Sequence, residues 1–218
     1  MADSPRLARL RRLGWPTFVG ACLAGWLALM LRPTTLGETL PHWPMTVVMA
    51  AASLVAGSTP MGGGAVAFPM LVLAFGRTPA MARDYSLAIQ SVGMLSALLF
   101  ILRRRIPVEP RVLAWSSAGA AAGLVCGTAV LAGRVPADSV KLLFASLWVT
   151  FGGWLSLQAG FIEGREPRPA IPGRAARYAG LAAGFTGGLV ASLIGVGVEM
   201  TVFAVLVARF GWEPRAAV

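Results

Sequence analysis

Charge is scarce in this sequence. Asp, Glu, Lys and Arg make up 13% of 218 residues, about half the share of a soluble domain, while apolar residues reach 56%. That balance excludes a disordered chain and an ordinary water-soluble globule, and it points to lipid as the main solvent. Histidine occurs once, as His42 in a loop beside Trp43. Cysteine occurs twice, as Cys22 and Cys126, both inside apolar runs. No metal site, disulfide framework or cofactor is expected from so few ligands. An intramembrane enzyme would need a Ser/Lys, Asp/Asp or HExxH constellation, and none is present; the sole lysine, Lys141, lies at a helix end.

The basic residues outnumber the acidic ones, nineteen to nine. They cluster between apolar runs: Arg6, Arg9, Arg11 and Arg12; Arg103, Arg104, Arg105 and Arg111; Arg165, Arg168, Arg174 and Arg177. This is the spacing of membrane loops. No finger, RNP or basic-helix pattern accompanies them, so nucleic acid is not an expected partner.

Spanning the hydrocarbon core takes about 20 helical residues. Runs 15–31, 86–102, 112–131 and 140–159 are long enough. Run 15–31 follows arginines as a signal peptide would, but Arg32-Pro33-Thr34 offers no cleavage site, so it reads as an uncleaved first helix. Two further stretches, 45–75 and 178–210, are interrupted, the first by residues 58–64 and the second near Gly195-Val196-Gly197. Their halves, about 10–17 residues each, are mostly too short to cross alone. With 1–14, 103–111 and 160–177 placed in the cytoplasm, as loops rich in arginine should be, 45–75 begins and ends outside and 178–210 begins and ends inside. Gly119, Gly123 and Gly127, and Gly180, Gly184 and Gly188, recur every fourth residue and predict close helix packing. Trp15, Trp43 and Trp212 read as interfacial anchors, and Trp26, Trp148 and Trp154 as apolar bulk.

The interrupted stretches resemble each other at an offset of 135 residues. Leu54-Val55-Ala56 fall on Leu189-Val190-Ala191, Gly62 on Gly197, Leu71-Val72 on Leu206-Val207, Phe75-Gly76 on Phe210-Gly211, Pro79 on Pro214 and Ala82 on Ala217. One copy enters from each side. The expected fold class is therefore all-α: a polytopic membrane helical bundle with inverted repeats, each opening with a broken, re-entrant helix hairpin. The expected organisation is one membrane domain, 1–218, with a first helix at 15–31, repeat 1 at 45–159, a cytoplasmic linker at 160–177 and an incomplete repeat 2 at 178–218.

The run Thr59-Pro60-Met61-Gly62-Gly63-Gly64-Ala65-Val66-Ala67-Phe68-Pro69 resembles the Gly-rich signature, with its following Pro, of the TauE/SafE sulfite exporter family. Pro79-Ala80-Met81-Ala82, Ser86, Arg103-Arg104-Arg105 and Gly195-Val196-Gly197-Val198-Glu199 follow in the order that family shows. The resemblance covers roughly residues 45–218. It implies a bacterial inner-membrane, multi-pass transporter, built from two inverted repeats, for export of sulfite, sulfonates or related organosulfur anions; the arginine-rich loops place its N-terminus in the cytoplasm. Val198-Glu199 stand where the first copy has Gly63-Gly64, and Val218 aligns with Arg83, whereas the first copy runs on to Ala159. The alternative expectation is therefore a non-transporting subunit or inactive truncated fragment, partnered by a second copy or a completing half.

A break in a membrane helix leaves N–H and C=O groups that only protein or a wet cavity can satisfy. Helix starts carry partial positive charge and free amides, so both breaks are candidate anion sites. The expected substrate-binding residues are Ser58, Thr59, Gly62, Gly63, Gly64, Ser86, Gln90, Gly195, Gly197 and Thr201. Gln90 and its neighbour Ser91 would serve equally as interhelical hydrogen bonders. Glu199, the one acid deep in an apolar run, is the candidate for proton coupling, with helix capping as the alternative.

Overall fold

A computed structural model describes residues 5–32, 37–38, 40–58, 62–106, 108–158 and 171–213. Among the described residues the fold is all-helical and has no strand. Among those residues eight α-helices follow in order: α1 Pro5–Met30, α2 Trp43–Ser58, α3 Gly64–Pro69, α4 Pro79–Arg104, α5 Pro110–Val130, α6 Ala137–Gln158, α7 Gly173–Ile194 and α8 Val198–Ala204. α1, α4, α5 and α6 contain stretches long and apolar enough to cross a membrane. Their outward side chains suit lipid and not water: Val149 and Leu157 are 76% and 77% exposed.

Local signals set the helix ends. Thr78 is extended and its hydroxyl accepts the Met81 N–H at 3.3 Å, with Pro79 opening α4. Thr78→Ala should cost about 1 kcal/mol, readable as a lower melting temperature. At the other end Arg103 and Arg104 face the carbonyl pole of α4. Pro110 opens α5 in the same way. The end of α4 and the starts of α5 and α7 share one end of the bundle. There Arg103 lies 5.5 Å over the Trp15 ring and Arg177 lies 4.8 Å over Trp115. Trp15 also meets Phe100 edge-on at 5.6 Å, which seats α1 on α4.

The centre of the bundle is the pair α5 and α7. Lipid tails give no hydrophobic drive between helices, so contact depends on how closely the backbones approach. A side chain on Gly184 would lie 2.0 Å from the Ser116 carbonyl, and one on Gly123 would lie 2.2 Å from the Phe185 carbonyl. The two glycine stripes interlock, and the register ascends on both helices, so α5 and α7 run parallel. α7 is longer than expected for half of a broken segment: it is an unbroken helix from Gly173 to Ile194. The α5 groove accepts its glycine face along that length.

The second short helix repeats the first. α3 continues into a π turn at Met70–Ala74, and α8 into one at Val205–Arg209, at the 135-residue offset. Phe75 and Phe210 end the turns with φ −102° and −105°, and Gly76 and Gly211 follow with φ +60° and +68°. Arg77 N–H reaches Leu71 O at 2.8 Å, and Trp212 N–H reaches Leu206 O at 3.1 Å. The offset also aligns Phe68 with Phe203, a pair the sequence comparison passed over. Both are buried against α6, Phe68 stacked on Phe144 at 4.9 Å and Phe203 beside Phe151 at 5.8 Å. Trp212, expected as an interfacial anchor, is instead buried with Val112, Ala176 and Leu206.

Candidate functional site

The two breaks lie together. α7 ends at Gly195, whose φ of +78° is a left-handed cap that glycine adopts without strain, and α8 begins after Gly197 at φ +142°. On the other side α2 ends at Ser58 and α3 begins at Gly64. α4 fills the space between them. A side chain on Gly195 would lie 2.7 Å from the Ser86 Cβ, and one on Gly64 would lie 3.1 Å from the same atom. Gly64 also faces Val196 of the other break, whose Cγ1 is 2.7 Å from that position. Ser86 is thus wedged between the breaks.

Close approach, rather than an unusual dihedral, calls for glycine in the first break, because none of Gly62, Gly63 and Gly64 has positive φ. A side chain on Gly62 or Gly64 would meet the Gln90 amide nitrogen at 2.8 or 2.6 Å. Gly63 has open space, with only the Ile89 Cγ2 at 3.8 Å.

Glu199 reaches from α8 to the same point. Its Oε1 accepts from Gln90 Nε2 at 3.4 Å and its Oε2 from the Gly197 N–H at 3.4 Å. The Glu199 and Gly62 backbone N–H groups also address the carboxylate. Gly62 and Gly197 are equivalent at the repeat offset, so each break sends the matching amide to one carboxylate. Among the described residues no cation pairs with it.

Two buried polar atoms lack a hydrogen-bond partner among the described residues: Ser86 Oγ and Trp148 Nε1. Ser86 is 0% exposed. Such an orphan is costly in a dry interior and calls for an occupant. Trp148 lies on the α6 face beside Phe144, with its ring centroid 5.8 Å away. Its indole nitrogen is a polar atom that the expectation of apolar bulk leaves out.

Thr201 is turned the other way. Its hydroxyl lies 2.8 Å from the Ala183 carbonyl and 3.0 Å from those of Gly197 and Val198, bracing α8 on α7. Ser91 is exposed and bonds its own helix at Ala88. Thr59 lies outside the described residues, as does the side chain of Ser58. Arg83 was missed because it precedes the apolar run. It sits one turn from Ser86, its Nη1 3.3 Å from the Ser192 carbonyl near the end of α7, and it pairs with Asp84 at 2.7 Å. It lines a pocket of about 170 Å³ with Thr78, Val140 and Leu193. A larger apolar pocket of about 630 Å³, lined by Trp26, Trp43, Phe75 and Arg77 among others, includes none of the residues at the breaks.

Long apolar helices around a polar meeting point of two glycine breaks define a multi-pass membrane protein of transporter type. The family model for the sulfite exporter TauE/SafE matches residues 45–218, and the chain belongs to that family. Its members are membrane transporters and not enzymes. No curated protein and no solved structure matches the chain.

Proposed function

We propose that the protein is a secondary transporter that exports small sulfur-containing anions, sulfite or organosulfonates, across the bacterial inner membrane by alternating access. The observation that carries this reading is the single point reached by matching amides from both breaks, inside an otherwise apolar bundle. The basic end of the bundle is cytoplasmic, together with the N-terminus. α2 then descends from the outside and α7 rises from the inside, which makes the two units inverted repeats with re-entrant hairpins. Repeat 1 covers 45–159 and repeat 2 starts at 178, with 160–177 as the cytoplasmic linker.

The anion sits where the breaks meet. Gly62, Gly64 and Gly197 offer amides, Ser86 a hydroxyl and Gln90 its side-chain NH₂; Gly195 lets α4 approach. The helical runs from Gly64 and from Val198 turn their positive ends toward it. Thr201 holds the second run in place, and Arg83 adds a positive field one turn away. The repeats rock about this shared point, opening it to each side in turn. The cytoplasmic arginines gather anions on the side from which they leave.

Reconstituted into liposomes loaded with sulfite, the protein should release it, and Gln90→Leu should slow release by about tenfold or more, as loss of a buried charge-directed donor does. A Gln90→Leu protein that remains folded and exports at the wild-type rate would contradict the placement of the site.

A further inference from the structure

The donors assigned to the substrate are already engaged by the protein's own Glu199. We infer that the Glu199 carboxylate is an internal stand-in for the transported anion, and that the two compete for one set of donors. This rests on the reading that the anion binds where the two breaks meet.

The geometry supports competition in three ways. A carboxylate presents two oxygens on one atom, as a sulfonate or sulfite does with two of its three, and each oxygen of Glu199 has a different donor: Gln90 for one, Gly197 for the other. Gly62 and Gly197 stand at equivalent positions of the repeat, so the point they share lies between the two units, where a substrate handled by both must sit. Finally, both of these bonds are long, at 3.4 Å, and no cation among the described residues pairs with the carboxylate to hold it against a competing anion. Ser86 Oγ is the neighbouring donor without a partner, and only the larger occupant engages it.

Two negative groups cannot share these donors. Either Glu199 swings away, or it takes a proton from solvent, becomes neutral and stops competing. Among the described residues no other ionisable group on the packed helices pairs with it: α3 carries none, α7 carries none beyond Tyr178, α5 carries only Arg111 and the exposed thiol Cys126, and α6 carries none after Lys141. On α4 the nearest along the helix is Tyr85, packed against the cluster of Phe68 and Leu71, and then Arg83 and Asp84, engaged with each other about two turns from Gln90. Binding of the anion and of a proton are therefore linked, each favouring the other.

The test is titration of methanesulfonate, whose charge is constant from mildly acidic to mildly alkaline pH, into the full chain in nanodiscs. The wild type should bind more tightly as pH falls. Glu199→Ala should bind about tenfold more tightly than the wild type at alkaline pH, and its affinity should not change with pH. Glu199→Gln, which keeps the side chain's size, should show the same flat profile and serves if the alanine variant does not fold. A wild type whose affinity is independent of pH, or variants no tighter than it, overturns the competition. If binding also ignores Gln90→Leu, the shared site itself fails; if binding falls with Gln90→Leu but ignores Glu199, the site stands and only the competition fails.

Discussion

Gly184→Ala separates α5 from α7 and lowers the melting temperature by about 6–12 °C, the equivalent of roughly 3 kcal/mol for a chain of this size. The new methyl would stand 2.0 Å from the Ser116 carbonyl oxygen and 2.9 Å from the Ala120 nitrogen. Both are backbone atoms, so no side chain can turn aside and the helices must part. In water a wider gap would be refilled by hydrophobic pressure; in lipid it is not, because tails solvate the separated faces as well as the helices solvate each other. Gly152→Ala supplies the control. That glycine, on α6, has nothing within 4 Å, so alanine there should leave the melting temperature the same or raise it slightly. Thermal unfolding in one detergent, measured for both variants, checks the pair. Equal effects would mean that α5 and α7 are not in backbone contact.

Gly64→Ala leaves the protein folded and lowers anion flux by about tenfold or more. Its methyl would lie 2.6 Å from the Gln90 amide nitrogen and 2.7 Å from the Val196 Cγ1. The Gln90 amide ends a flexible side chain and yields by leaving Glu199, whereas the Val196 methyl sits on a stiff, buried side chain, so the second break must shift with it and the two breaks are prised apart. Gly63→Ala, one residue earlier, meets only the Ile89 Cγ2 at 3.8 Å and should transport at close to the wild-type rate. Flux in proteoliposomes for the two variants separates a site that needs contact between the breaks from one that needs only a flexible loop. Equal flux in both would rule out the first.

Much of this was legible in the sequence because membrane helices obey a length rule. Runs of about 20 apolar residues have few alternatives, and α1, α4, α5 and α6 fell where hydropathy put them. Glycine marked both interruptions, joined by Pro60 in the first, and the match of Pro79 to Pro214 with Phe-Gly before each set the repeat offset. What stayed hidden depends on how distant segments meet. Gln90 and Glu199 are 109 residues apart, and nothing in either neighbourhood announces the other. Thr201 has the right chemistry for an anion site, but it lies on the side of α8 that faces α7, so its hydroxyl goes to the Ala183 carbonyl. Glycines 62 and 64, expected as anion-binding positions, are also spacers, because Gln90 and Val196 across the gap leave no room for a side chain. Arg83 belongs to the site region through the end of α7, a contact with no trace in local pattern.

The central claim is that two glycine breaks from separate repeats build one anion site. Selenite in place of sulfite makes it directly visible, since selenium scatters anomalously and marks the ligand in crystals of the protein. The account predicts one ordered selenium peak between the Gly62–Gly64 and Gly195–Glu199 segments, within hydrogen-bond reach of Ser86 and Gln90, with the Glu199 carboxylate displaced. A peak confined to the arginine-rich surface, or two breaks held apart by lipid with no peak between them, would contradict it.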